Sequence, residues 1–208
     1  MPPYNFSKLL GEIDGAVKSD LPVTEGLLRI IEFCETARPH PDWSALRNLD
    51  AAGDLQQLQR WLETVIRTMA PPAPVTGLWF GLFNPVVQGR VTADLHVLGA
   101  PYDANDPEWL FRQRWGGDTP DASSTVLDAI YRVAYGRENG LGNDAEYPLC
   151  LAYAALAVRH LAKLMGPTLL GDAAQRVLHV GFDSGDFLCI GAVQKTGLIF
   201  SRSRGVMA

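Results

Sequence analysis

Cysteine is scarce: the 208 residues hold three, Cys34, Cys150 and Cys189, far apart and never in the C-x-x-C spacing that zinc sites use. Each sits in a separate apolar, periodic segment, as buried free thiols of a reducing compartment do, so a cytoplasmic location is expected. Clustered basic charge is also missing. With 18 Lys and Arg against 23 Asp and Glu, the net charge is −5, and the cations are scattered. Nucleic-acid binding draws most of its free energy from packed Lys and Arg, so no nucleic-acid partner is expected.

The common catalytic signatures are absent as well. No G-x-x-x-x-G-K, H-E-x-x-H or G-x-S-x-G occurs, and "GFDSG" places Ser184 between strands rather than on a strand-to-helix elbow. The "GLGN" stretch at 140–143 lacks a preceding strand and the third glycine of a dinucleotide loop. None of the four histidines (His40, His96, His160, His179) lies four residues from another. Neither a cofactor nor a metal is expected. The N-terminal segment has no uninterrupted apolar run, since Glu12 and Asp14 break it, and the apolar stretch 148–158 is short for a bilayer, so no export and no membrane partner are expected.

What is present is a change of period along the chain. Apolar residues recur at helical spacing over 21–37, briefly at Trp43 and Leu46, and from Asp54 to Met69, where Leu55, Leu58, Leu62, Val65 and Ile66 form one stripe. "PPAP" at 71–74 makes a stiff connector. Over 76–98 the period becomes two: "GLWFGLF" and "RVTADLHVLG" read as a hairpin turning at Gln88-Gly89. Helical spacing returns near 123–136 and again over 148–165. The latter segment is apolar almost all round, which marks a central helix. Residues 176–200 form a second hairpin and a third strand, "TGLIF".

Helices, hairpin, helices, hairpin is the order of an α+β fold. The two hairpins are expected to join in one antiparallel sheet packed on the 148–165 helix. Residues 1–70 form a helical cap and residues 76–200 the α+β core, within one domain overall. Leu178, Val180 and Phe182 are expected to face inward with Val91, Ala93 and Leu95.

Three places carry candidate chemistry. With Ser184-Gly185 as a two-residue loop, Val180 faces Cys189 and Phe182 faces Phe187, while Asp183 opposes Asp186 on the other side. Asp94, His96, His179, Asp183 and Asp186 then share one sheet face, where histidine beside carboxylate suits acid–base or metal chemistry. The loop 100–121 alternates Tyr102, Trp109, Phe111 and Trp115 with charges that include Arg112, a composition found at protein interfaces. The stretch "VGFDSGDFLCIG", residues 180–191, resembles a hairpin of SUKH-type bacterial immunity proteins. That resemblance implies an acidic, non-catalytic cytoplasmic toxin inhibitor.

The leading expectation is a non-catalytic protein-binding domain using Trp109, Trp115, Tyr102, Arg112, Asp183 and Asp186. Its partner is another protein, with a second copy of this chain as a further possibility. The alternative is a hydrolase or metal-dependent enzyme built on His96, His179 and Asp94.

Overall fold

The computed structural model describes residues 5–200 except 20, 88, 107, 184 and 185. Among these residues six α-helices accompany a six-stranded mixed sheet with the long helix packed on it, which confirms the α+β class. The helices are α1 (Phe6–Lys18), α2 (Val23–Ala37), α3 (Trp43–Leu46), α4 (Ala51–Thr68), α5 (Thr125–Tyr135) and α6 (Asn143–Leu170). The strands are β1 (Gly77–Phe83), β2 (Val86–Val87), β3 (Arg90–Val91), β4 (Asp94–Ala100), β5 (Ala122–Ser123), β6 (Gln175–Phe182), β7 (Phe187–Gln194) and β8 (Gly197–Phe200). The main sheet runs β5-β4-β1-β6-β7-β8, and β2 pairs with β3 in a small ribbon at the hairpin tip. Of the first hairpin turn, Gln88 lies outside the described residues.

Helix α1 has no counterpart in the sequence reading, although Leu9, Leu10, Ile13, Ala16 and Val17 are all buried at helical spacing and Asn5 caps its start. Helix α4 begins at Ala51 under an Asp50 cap, so Asp54 lies inside it rather than opening it. Helix α6 is longer than 148–165 at both ends. Its 28 residues reach about 42 Å at the usual rise, and by length and composition it is capable of crossing a membrane. Here 83% of its apolar window is buried by the rest of the chain. Gly166-Pro167 does not stop it, because Leu169 and Leu170 continue into the core and Arg176 Nε caps the Leu170 carbonyl at 3.2 Å.

The joint between the two hairpins departs from expectation. Strands β1 and β6 are parallel, Gly77 aligning with Val177 and Leu82 with Phe182, because α5 and α6 carry the chain back to the end from which β1 starts. One sheet face meets α6 through β1, β6 and β7, with Leu78, Phe80, Leu82, Leu178, Val180, Leu188 and Ile190 buried there, and Leu95 and Val97 of β4 extend the same core. Ala93 joins this core and Phe182 packs against it, whereas Val91 is exposed in the tip ribbon. The same apolar cluster continues through α1, α2 and α4.

Three buried charges hold the helices to this core. Arg159 on α6 donates to the carbonyls of Ala16, Val17 and Ser19 at the negative end of the α1 dipole and to that of Leu21 in the connector beyond it. Arg176 on β6, fully buried, donates to carbonyls of Pro71, Pro72 and Val75, so the proline connector is gripped from within. Asp54, 1% exposed, accepts from Ser124 Oγ (2.7 Å), Thr125 N (2.6 Å), Thr125 Oγ1 (2.9 Å) and Tyr153 Oη (2.5 Å). This carboxylate thereby ties α4 to the N-terminus of α5 and to α6. Asp54→Ala strands those donors and is expected to cost about 3 kcal/mol or more, whereas Tyr153→Phe removes one donor at about 1 kcal/mol. Urea unfolding of both variants checks the order, and an Asp54→Ala cost no larger than that of Tyr153→Phe contradicts it.

Candidate functional site

Opposite α6, the second face of the sheet carries every second residue of β1, β4 and β6: Trp79 and Gly81, then Asp94, His96 and Leu98, then His179. Gly81 pairs with His96 on one side and with Gly181 on the other. The bare Gly81 backbone is what lets His96 settle onto the sheet. A methyl group there would strike His96 Nε2 and would lie 2.6 Å from both Asp183 Oδ1 and Trp79 Nε1. These three polar groups therefore converge over one glycine. His96 Nε2 stands 3.3 Å from Asp183 Oδ1 without hydrogen-bond alignment, and the Phe83 ring lies 5.4 Å from the imidazole. The Asp183 side chain is half exposed, so the pair opens to solvent on one side.

The fold brings the candidates His96 and Asp183 together here, and it gathers His179, Tyr102 and Trp109 into a separate group on the same face. Asp186 goes elsewhere, for a backbone reason. Residues 175–178 pair with 194–191, but after Leu178 the register slips so that His179 faces Cys189 and Gly181 faces Phe187. Ile190 is the extra residue of a β-bulge, and Gly191 beside it adopts φ +146°, open essentially to glycine alone. The slip puts Leu188 and Ile190 into the core in place of Phe187 and Cys189. It also replaces the direct Asp183–Asp186 pairing: the Phe182 amide bonds to the Asp186 carbonyl at 2.9 Å. Ser184 and Gly185 lie outside the described residues. Asp186 acts on Tyr147, whose hydroxyl pKa is raised first by burial and then by that carboxylate. Burial raises the pKa of Asp94, with Asp121 and Asp128 adding to the effect.

His179 belongs to a different environment on the same face. It is 3% exposed, with the Tyr102 and Trp109 rings each 5.3 Å away and Phe187 at 5.5 Å. Its Nδ1 has no hydrogen-bond partner, and burial pulls its pKa from 6.5 down to about 4. It is thus a neutral ring in an aromatic layer, beyond the reach of bulk protons at neutral pH.

That layer is closed by the loop 101–114. Tyr102 N donates to Thr76 Oγ1 at 2.9 Å at one end, and Arg114 N to the Gly99 carbonyl at 2.8 Å at the other. A single 3-10 turn, Trp109–Arg112, drops Trp109 over Gly77, whose missing side chain leaves the room. Trp109 and Trp115, offered by the sequence as contact residues, are each only 5% exposed; Trp115 donates its indole N–H to the Met69 carbonyl at 2.8 Å. Burial on the sheet is worth more to these rings than presentation to water. Tyr102 is half-buried in the same layer, and Arg112 is exposed and ion-paired with Asp106. The residue left outside is Phe111, 87% exposed. The signal for this layer is present in "GLWFGLF": glycines 77 and 81 flank Trp79 at period two, which marks a face stripped bare for incoming rings.

No protein-family model, curated protein or solved structure matches this chain. Function must therefore be argued from its own geometry. Among the described residues, no three His, Cys, Asp or Glu side chains stand close enough to hold a metal ion. Cys34 and Cys150 are buried, and burial pushes the Cys34 thiol up to about 12, which removes it as a nucleophile. A cavity of about 140 Å³ lies between α4 and residues 118–120, lined by Val65, Met69 and Pro120.

Two outcomes follow. Unfolded histidine takes up protons near pH 6.5 and His179 in the fold resists them to about 4, so its contribution is intact above 6.5 and fades as pH falls. Urea unfolding at pH 7 and pH 4.5 is expected to show about 2–3 kcal/mol more acid loss in the wild type than in His179→Phe; equal losses contradict the buried neutral ring. Gly81→Ala, by forcing His96 off the sheet, is expected to cost about 1–3 kcal/mol. Its heteronuclear spectrum should shift at His96 and Asp183, and an unmoved His96 signal would refute the close approach.

Proposed function

We propose that this chain is a non-catalytic, cytoplasmic protein-binding domain of inhibitor type that meets its partner with the 101–114 loop. The observation that carries the reading is Phe111: a large apolar ring, 87% exposed, on a turn whose neighbours are fixed. A ring left in water on a mobile loop costs ordering entropy on binding. This one is pre-placed by Trp109 beneath it and by the Gly99–Trp115 bridge at the loop's base. Exposed Arg112 and Arg114 flank it, which makes "FRQR" at 111–114 an aromatic–arginine patch of the composition that dominates interface energetics. The patch suits an apolar recess with an acidic rim. The inhibitor character is supported by the acidic net charge and by the likeness of residues 180–191 to an immunity-protein hairpin.

The test is co-purification from the source cell of wild type, Phe111→Ser and Arg114→Glu. A stoichiometric partner is expected with wild type and is expected to be lost, at least tenfold, in both variants, whose melting temperatures stay unchanged because both side chains are exposed. Retention of the partner by Phe111→Ser at the wild-type level refutes the reading.

A second reading rests on His96 and Asp183: an imidazole 3.3 Å from a solvent-open carboxylate is an arrangement for general acid–base hydrolysis. A hydrolytic activity of the purified protein that falls about 100-fold or more in His96→Ala would favour it. Stoichiometric metal lost in the same variant would favour its metal-assisted form.

A further inference from the structure

The two edges of the sheet are finished differently. At one edge β5 is two residues long, the Ser123 carbonyl is taken by Gln57 Nε2 at 3.1 Å, and the chain passes at once into α5 beneath the Asp54 carboxylate. That edge is plugged. At the other edge β8 pairs with β7 alone, Gln194 with Gly197 through Gly191 with Phe200. The Ile199 carbonyl points at Gly191, inward to β7. By the alternation of an antiparallel ladder, the N–H and C=O groups of Leu198 and Phe200 then point outward. Among the described residues no hydrogen bond meets them.

Natural edges are guarded by charge, proline or a bulge, and "GLIF" at 197–200 has none of these. Apolar surface flanks it instead: Ile199 is 47% exposed, and Leu164 on α6 is 54% exposed. Two cations flank the strand. Lys195 is exposed in the β7–β8 turn, and the Lys163 ammonium sits 5.7 Å from the centre of the Phe200 ring. In a chain of net charge −5 this is a local reversal.

The geometry points to β8 as a docking edge that takes an extended acidic segment of another protein as a seventh, antiparallel strand. Main-chain bonds to Leu198 and Phe200 supply the pairing, Ile199 and Leu164 supply apolar contact on the two sides, and the cations select acidic side chains. A second copy of this chain is disfavoured, because each copy brings Lys163 and Lys195 to the joint. The inference uses a surface distinct from the Phe111 loop and fails or stands separately from that reading.

The test uses the full chain, isotope-labelled, with two synthetic peptides, Glu-Val-Glu-Val-Glu and Lys-Val-Lys-Val-Lys. The acidic peptide is expected to shift the amides of Leu198 and Phe200 and their β7 neighbours, with the basic peptide at least tenfold weaker. Leu198→Pro, which removes only an outward N–H, is expected to abolish the shifts while the β7 signals stay in place, and Lys195→Glu to weaken them several-fold. Phe111→Ser leaves them unchanged. The proposal is overturned by any of three results: no shift at Leu198 and Phe200 at millimolar peptide, equal shifts with both peptides, or a concentration-dependent dimer in sedimentation that protects these amides without peptide.

Discussion

From Pro148 to Val158 helix α6 is apolar on every side, and the rest of the chain is arranged to keep water off that stretch; a solvent-facing stripe begins only at His160, Lys163 and Leu164. A surface helix needs one buried stripe; this one needs a sleeve. The sheet covers one side through β1, β6 and β7, and α1, α2, α4 and α5 close the others. The two polar side chains in its middle turns are satisfied by the same sleeve. Tyr153 reaches Asp54 on α4, and Arg159 reaches the carbonyls that end α1. The N-terminal helices thus supply both apolar cover and hydrogen bonds, and their removal would leave a buried cation and a buried phenol without partners.

A sheet pressed against such a helix spends one face on it and has the other to dispose of. In this fold the second face is divided. Around His179 it is roofed by Tyr102 and Trp109 and becomes a small second core. Around Gly81 it stays open, and His96 and Asp183 stand at that opening. The roof has a consequence for binding, because the rings that seal the sheet also fix the turn that carries Phe111. Local order is transferred from the core to the surface by the short distance between Trp109 and Phe111.

Much of this was legible in the sequence. Period and capping signals mark α2, α4, α5 and α6, and alternation in β4 and β6 places His96 and His179 on the non-helix face, where both are found. The parallel β1–β6 joint was not legible, since strand order depends on how α5 and α6 return the chain and no local pattern encodes it. The bulge at Ile190 was missed because Gly191 reads equally well as a strand end; that one residue of slip separates Asp186 from Asp183. The loop tryptophans show why composition alone misplaces a site. Trp and Phe carry the same interface signal, yet glycines 77 and 99 open room on the sheet for the tryptophans and leave Phe111 outside.

The central claim is that α6 and its sleeve, N-terminal helices included, form one cooperative core. Native-state hydrogen exchange tests it directly. The slowest amides of α2, α6 and β1 are expected to open with a single free energy and a single denaturant dependence. Exchange of α1, α2 and α4 at a free energy several kcal/mol below that of α6, with α6 still protected, would contradict it.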